Sequence, residues 1–128
     1  MPRVLIIDDE PWICRMLVRL LGSDHEVVAV SSVREALLSI GERRFDIILC
    51  DLRLGGHSGL MLRAELTEHH PRQASRIVFM SGDHSAASRV DAPFLAKPFD
   101  AATLQILLAR CLHTWGAIDR TASRANAS

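Results

Sequence analysis

The amino-acid sequence predicts an α/β protein built on a doubly wound parallel sheet of five strands. Short apolar runs alternate along the chain with amphipathic stretches, which is the pattern of repeated strand–helix–strand units. Residues that favour turns and helix ends separate these segments. Four of the apolar runs end in polar or charged side chains, and a parallel sheet brings such strand ends to one edge. That edge is the predicted functional face.

The apolar runs predict five strands, and apolar residues at helical spacing predict four amphipathic helices. The strands lie at about residues 3–8, 26–30, 46–50, 76–80 and 94–96. The helical stripes are Ile13, Leu17, Leu20 and Leu21, then Val33, Leu37 and Ile40, then Leu60, Ala64 and Leu66, and last Leu104, Leu107, Leu108 and Cys111. We assign all four stripes to the hydrophobic core rather than to a cofactor site.

Residues at the segment boundaries support these elements in turn. Gly22 ends the first helix and Gly41 the second, because glycine readily leaves the helical conformation. Pro71 follows the third helix, and Asp100 is the expected N-cap of the last one. Residues 83–89 show little apolar periodicity, so the helix between the fourth and fifth strands is expected to be short or absent.

Length and composition are those of one folded domain. The 128 residues suit a single hydrophobic core, and 15 basic residues balance 15 acidic ones. This neutrality argues against nucleic acid or an anionic membrane as a direct partner. We predict a domain over residues 1–116 and a disordered tail or linker remnant over residues 117–128, where small and polar residues dominate.

The cysteine pattern and the lack of a targeting signal predict a cytoplasmic location. No apolar run approaches the ~20 residues that cross a bilayer, and the first residues lack the basic and apolar regions of a signal peptide. The cysteines Cys14, Cys50 and Cys111 are isolated and lie in apolar contexts. We expect them to be reduced and to serve as small hydrophobic side chains.

Polar residues at four strand ends predict a single cleft. They are Asp8 and Asp9 after the first strand, Asp51 after the third, Ser81 after the fourth and Lys97 after the fifth. Three close carboxylates repel one another unless a cation neutralises them, and hard oxygen donors favour Mg²⁺, with Mn²⁺ as the alternative. A carboxylate beside such a cation can attack phosphorus and form an acyl phosphate. Lys97 then supplies positive charge for the phosphoryl oxygens, and Ser81 a neutral donor.

The ordered set of motifs resembles the receiver domain of the two-component response-regulator family. The matching segments are Val4-Leu5-Ile6-Ile7-Asp8-Asp9-Glu10, Phe45-Asp46-Ile47-Ile48-Leu49-Cys50-Asp51, Gly59, Met80-Ser81-Gly82 and Phe94-Leu95-Ala96-Lys97-Pro98-Phe99. The resemblance covers residues 3 to 113. It implies a flavodoxin-like receiver fold with the strand order 2-1-3-4-5. The interval from Ser81 to Lys97 is shorter than is usual in the family, which again indicates a shortened fourth helix.

The resemblance also implies the chemistry of the cleft. Asp51 is the expected phosphoacceptor. The expected protein ligands of Mg²⁺ are Asp8, Asp9, Asp51 and the backbone carbonyl of Arg53. Phosphate would come from a histidine kinase or a histidine phosphotransfer protein, and phosphorylation would switch an interaction with an output partner that the sequence does not identify. On this interpretation the chain is not an enzyme, because it converts no separate substrate. Its only chemistry is its own phosphorylation and dephosphorylation.

Further residues are expected to transmit phosphorylation or to recognise the kinase. Ser81 would bond a phosphoryl oxygen, and Lys97 would pair with the phosphoryl group beside a cis bond to Pro98. Phe94 stands where the family carries its switch aromatic, and a permanently buried core side chain is the alternative. Trp12, on the exposed face of the first helix with Arg15 and Arg19, is the candidate anchor for the kinase, and helix packing is its alternative.

Two further features depart from the family pattern. Arg53 and Asp83 would face each other across the mouth of the cleft, where the pair would hinder the water that hydrolyses the acyl phosphate. Two independently solvated charges are the alternative. Gly55 stands where many relatives carry Pro, which gives this loop greater backbone freedom.

Two other classes of function stay open on the sequence alone. One is a phosphorylation-independent protein-interaction module of receiver ancestry. The other is an Asp-nucleophile phosphohydrolase with a similar parallel sheet, although that class normally carries a second Asp two positions after the nucleophile, where Arg53 stands. The sequence also leaves open whether the chain acts alone or as one domain of a hybrid kinase or larger regulator.

Overall fold

The computed structural model describes residues 1–127, with side chains described as far as residue 121. Two compact units make up the chain, Met1–Pro98 and the segment that begins at Phe99. The first unit contains, in order, β1 (Arg3–Ile7), α1 (Pro11–Leu21), β2 (Glu26–Val30), α2 (Val33–Glu42), β3 (Ile47–Asp51), β4 (Arg53–Leu54), β5 (His57–Ser58), α3 (Gly59–His69), α4 (Pro71–Ala74), β6 (Ile77–Ser81), a 3₁₀ helix (His84–Ser88) and β7 (Phe94–Ala96). The second contains α5 (Ala101–Ala127).

Five strands form a parallel sheet in the order β2-β1-β3-β6-β7. Since β6 and β7 are the fourth and fifth strands of this sheet, the predicted order 2-1-3-4-5 is confirmed. The register pairs Ile7 with Cys50 and Ser81 with Ala96, so the carboxyl ends of these strands lie at one edge. A doubly wound, flavodoxin-like arrangement results, as the sequence predicted.

Both faces of the three central strands, β1, β3 and β6, are buried. Leu5 and Ile7 belong to a core cluster that includes side chains from α2 and α3. Val4 and Ile6 point to the opposite face and are also fully buried. A parallel sheet with both faces covered needs the nearly continuous apolar strands that the sequence contains.

The buried side of α3 differs from the predicted stripe. We expected Leu60, Ala64 and Leu66 to face the core, but Leu60 and Ala64 are exposed, and the buried residues are Gly59, Leu62 and Leu66. The prediction was right for Leu66 and wrong for Leu60 and Ala64. The helix first contacts the core at Gly59, and a glycine is not counted in an apolar pattern. A Cβ atom at Gly59 would lie 2.7 Å from the backbone oxygen of Asp51, so only glycine permits this approach.

Most predicted boundaries are close to the observed ones. Gly22 is the C-cap of α1, whereas α2 continues one residue beyond Gly41. Asp100 caps α5, since its Oδ1 accepts a hydrogen bond of 2.7 Å from the backbone N–H of Thr103. Only the five-residue 3₁₀ helix His84–Ser88 lies between the fourth and fifth sheet strands, which confirms the prediction of a shortened helix.

The helix α5 is longer than predicted. We expected a tail from residue 117, but residues 117–127 are helical, and Ser128 lies outside the described residues. Ala and Arg recur in this stretch and have high helix propensity, and no Pro or Gly follows Gly116 to end the helix. The domain boundary near residue 116 stays a prediction. None of the helices described within residues 1–127 has the length and hydropathy to cross a membrane.

Candidate functional site

The predicted polar residues meet at the carboxyl edge of the sheet. Asp8 follows β1, Asp51 ends β3, Ser81 ends β6 and Lys97 follows β7. An open cleft of about 620 Å³ is lined by Asp9, Asp51, Ser81 and Lys97, among others. Asp8 is fully buried. Strand order alone has thus gathered residues that are separated by up to 89 positions in the chain.

Asp51 is held in place by both of its carboxylate oxygens. Its Oδ1 accepts a hydrogen bond of 3.0 Å from the backbone N–H of Arg53, and its Oδ2 accepts one of 2.7 Å from Lys97 Nζ. The side chain is largely buried but borders the cleft. A carboxylate in this setting is oriented and still reachable from solvent.

Lys97, the only lysine of the chain, bridges two carboxylates. Its Nζ lies 2.7 Å from Asp51 Oδ2 and 2.8 Å from Asp8 Oδ2. Burial disfavours the ammonium charge, but the hydrogen bonds to Asp51 and Asp8 outweigh this cost, so the pKa of Lys97 is raised. Its bond to Pro98 is cis, as expected.

Three carboxylates form a cluster that fits Mg²⁺. One oxygen each from Asp8, Asp9 and Asp51 lies within 4.8 Å of the other two. Burial raises the pKa of Asp8 above its usual value, although the hydrogen bond from Lys97 works in the opposite direction. One ammonium group among three carboxylates leaves a surplus of negative charge. Hard oxygen donors with such a surplus suit a divalent cation.

Ser81 and Phe94 lie at adjoining strand ends. Ser81 Oγ accepts a hydrogen bond of 3.0 Å from the backbone N–H of Asp83, which leaves its own hydroxyl hydrogen able to donate. Phe94 is opposite Phe79 in the sheet and packs against the core while partly exposed. Both the role of Phe94 as a switch and the alternative of a permanently buried core side chain stay predictions.

The expected ion pair between Arg53 and Asp83 is replaced by other contacts. Both residues line the cleft, but Asp83 Oδ2 accepts a hydrogen bond of 3.0 Å from Arg89 Nη2. Asp83 Oδ1 accepts from the backbone and the hydroxyl of Ser85. The hydrogen bond from Ser85 is the main reason why the pKa of Asp83 is lowered. The short 3₁₀ helix lets Arg89 turn back onto Asp83, which sequence spacing did not reveal.

Two contacts of the site escaped the sequence analysis. The backbone N–H of Gly55 donates a hydrogen bond of 3.0 Å to Asp9 Oδ2. The ring Nε2 of His84 lies 2.9 Å from the backbone oxygen of Lys97. In the sequence, only the glycine at position 55, where many relatives carry Pro, could have indicated the contact between Gly55 and Asp9. No sequence feature indicated the contact between His84 and Lys97, because it depends on where the 3₁₀ helix lies.

Comparison with known proteins identifies the family of the chain. The model of the response regulator receiver domain family matches residues 4–109. The transcriptional regulatory protein ZraR of Escherichia coli O157:H7 is 33% identical over 119 residues, which are 87% of this chain and 26% of that protein. The chain belongs to the response regulator receiver domain family of two-component signal transduction. It spans about a quarter of the length of the curated relatives that it matches.

Solved receiver structures share the fold. NtrX from Brucella abortus has a TM-score of 0.83 and 29% identity, with coverage of 95% of this chain and 29% of that one. The response regulator TrrA from Thermotoga maritima, solved in complex with Mg(2+)-BeF, has a TM-score of 0.76. TrrA is 23% identical and matches 87% of this chain and 99% of its own, so it bears on the fold alone.

Proposed function

We propose that the chain is a phosphoacceptor module in which Asp51 is phosphorylated with the help of Mg²⁺. One observation carries the proposal: Asp51 lies within a cluster of three carboxylates and is bridged to Asp8 by the ammonium group of Lys97. A receiver without phosphorylation would have no need to hold so many uncompensated charges in one cleft. The interaction-only alternative explains the fold but leaves this cluster without a purpose.

The metal ligands in this proposal are Asp8, Asp9, Asp51 and the backbone carbonyl of Arg53. The close carboxylate oxygens support the first three, and their hard oxygen donors support the choice of Mg²⁺. When bound, Mg²⁺ neutralises the carboxylates and the incoming phosphoryl oxygens. Mn²⁺ would use the same donors.

Phosphoryl transfer requires little of the protein beyond orientation and charge. A carboxylate oxygen of Asp51 attacks phosphorus of a phosphohistidine, the P–N bond breaks, and its electron pair returns to the imidazole nitrogen. The product on the chain is an acyl phosphate. Lys97 then pairs with the phosphoryl group, and the Ser81 hydroxyl donates to one of its oxygens. Attack by water at phosphorus breaks the P–O bond and regenerates the Asp51 carboxylate and inorganic phosphate.

The proposed phosphodonor is a histidine kinase or a histidine phosphotransfer protein in the cytoplasm. Trp12 supports a docking role for α1, because 57% of its side chain is exposed beside the cleft residues Asp9 and Glu10. Helix packing alone would bury such a side chain. The chain converts no separate substrate in this proposal, contacts neither nucleic acid nor membrane directly, and acts by changing its affinity for an output partner or domain.

Acetyl phosphate and Mg²⁺ test the proposal without the natural kinase. Intact mass spectrometry of the wild type should reveal one phosphoryl adduct that is absent when Mg²⁺ is chelated. Asp51→Asn should abolish the adduct, whereas Asp24→Asn, an exposed aspartate away from the cleft, should retain it. If Mg²⁺ binds and no adduct forms in the wild type, the interaction-only alternative replaces this proposal.

A further inference from the structure

A short hairpin beside the cleft has a glycine turn with one unusual backbone conformation. β4 and β5 pair antiparallel, Arg53 with Ser58 and Leu54 with His57, so Gly55 and Gly56 form the turn between them. Gly55 has a φ of 63°, which glycine adopts at little cost. Glycine at the first central position is typical of a type II′ hairpin turn.

The turn contacts one carboxylate of the acidic cluster. The backbone N–H of Gly55 donates to Asp9 Oδ2 at 3.0 Å, across 46 positions of sequence. Asp8 and Asp51 are buried and have Lys97 as a common partner, but Asp9 is exposed. Surrounding side chains therefore do not fix its carboxylate by packing. The hydrogen bond from Gly55 supplies an orientation that burial does not.

The same hairpin orients a second carboxylate. The backbone N–H of Arg53, at the start of β4, donates to Asp51 Oδ1 at 3.0 Å. One hairpin thus contacts Asp9 at its turn and Asp51 at its first strand. With both hydrogen bonds formed, one oxygen each from Asp8, Asp9 and Asp51 lies within 4.8 Å of the other two. A carboxylate has about four acceptor positions, so one hydrogen bond leaves capacity for a cation.

We propose that Gly55 is a positioning residue, whose backbone N–H holds Asp9 ready for Mg²⁺. The inference rests on the proposed function, because it assumes that the acidic cluster binds the metal. Groups that hydrogen-bond a metal ligand fix its direction, and their loss weakens metal binding. Proline at this position has no N–H and requires a φ near −65°, so it can neither donate the bond nor adopt this turn. Asparagine keeps the N–H and, among residues with a side chain, is one of those found most often at a positive φ.

Calorimetric titration of Mg²⁺ into the metal-free protein, without any phosphodonor, tests the role of Gly55. Gly55→Pro should weaken Mg²⁺ binding by about 10-fold. Gly55→Asn, which retains the N–H, should bind Mg²⁺ more tightly than Gly55→Pro. Gly56→Ala is the matched control, because its Cβ would meet no atom within 4 Å and its φ is ordinary. Thermal unfolding of each variant establishes that it is folded.

Amide hydrogen exchange of Gly55 in the wild type needs no variant and decides the question even where Gly55→Pro does not fold. We expect the Gly55 amide to be protected without metal and to stay protected when Mg²⁺ saturates the site. Loss of protection on Mg²⁺ binding would make the bond a competitor of the metal and overturn the proposal. Equal Mg²⁺ affinity of Gly55→Pro and wild type would also overturn it. Absence of Mg²⁺ binding in the wild type would overturn the proposed function itself.

Discussion

Lys97 Nζ lies 2.7 Å from Asp51 Oδ2, so the expected phosphoacceptor is already paired with a cation before any phosphate arrives. The same ammonium group lies 2.8 Å from Asp8 Oδ2. Only 16% of the Lys97 side chain is exposed, and water screens these contacts weakly. A divalent cation bound as proposed would therefore compete with Lys97 for the same carboxylates.

Lys97→Met should lower stability without metal and tighten Mg²⁺ binding. Loss of the ammonium group leaves Asp8 and Asp51 without their partner, at a cost of about 3 kcal/mol in the free energy of unfolding. Mg²⁺ then meets no competing cation, so its affinity rises while phosphorylation by acetyl phosphate falls. Urea unfolding with chelator and calorimetric Mg²⁺ titration measure the two effects. Lys97→Arg is the variant that keeps the positive charge. Arg72→Met removes a positive charge at an exposed site and should leave Mg²⁺ affinity unchanged. Unaltered affinity in Lys97→Met would refute the competition.

Gly59→Ala should destabilise the protein, in contrast to Gly41→Ala. The added Cβ would lie 2.7 Å from the Asp51 backbone oxygen and 3.0 Å from Cys50 Sγ, so the start of α3 must shift. Overpacking of this kind costs roughly 1–3 kcal/mol in the free energy of unfolding. A Cβ atom at Gly41 would meet no atom within 4 Å, so alanine at this helical position should raise the free energy of unfolding by about 0.5 kcal/mol. Chemical denaturation measures both variants, and similar behaviour of the two would exclude the close approach as the cause.

Asp100 should make stability depend on pH in the acid range. The backbone N–H of Thr103 donates to this carboxylate and holds its pKa below the usual 3.8. Folding therefore favours the ionised form, so the stabilisation is complete above about pH 4 and is lost as the pH falls through the lowered pKa. Asp100→Asn retains an acceptor but cannot ionise. The difference in unfolding free energy between wild type and Asp100→Asn should shrink on acidification, and a constant difference would rule out this linkage.

Arg53 and Asp83 should act independently on the lifetime of the acyl phosphate. The Asp83 carboxylate accepts hydrogen bonds from Arg89 and Ser85, so removal of the Arg53 side chain leaves these contacts intact. In a double-mutant cycle of Arg53→Ala and Asp83→Ala, the changes in dephosphorylation rate of phosphorylated Asp51 should multiply without a coupling factor. A clear coupling between the two would restore the ion-pair gate that the sequence suggested.

The sheet and the site were largely predictable because both depend on short-range patterns. Each apolar run became a strand, since such runs are long enough for a buried strand and too short for a buried helix. Asp51, Ser81 and Lys97 were recognised from their place at strand ends, and parallel topology brings all such ends together. The shortened helix after β6 was visible because residues 84–88 lack an apolar stripe.

Contacts between distant loops could not be predicted in the same way. The pairing of Asp83 with Arg89 depends on the exact turn of the 3₁₀ helix, and the burial of Leu62 in place of Leu60 depends on the close approach at Gly59. The tail from Ala117 was predicted from composition. Composition does not indicate how far a helix that has already begun will continue.

By itself the sequence determined the class of fold and the identity of the charged residues at the strand ends, and its resemblance to the receiver family implied the order of the strands. The class of fold follows from hydrophobic periodicity and chain connectivity, which act locally. Only the tertiary structure decided how the charges are paired: Lys97 between Asp8 and Asp51, and Gly55 on Asp9. Hydrogen bonds demand distances near 3 Å, and no sequence spacing sets the separation of two loops that precisely.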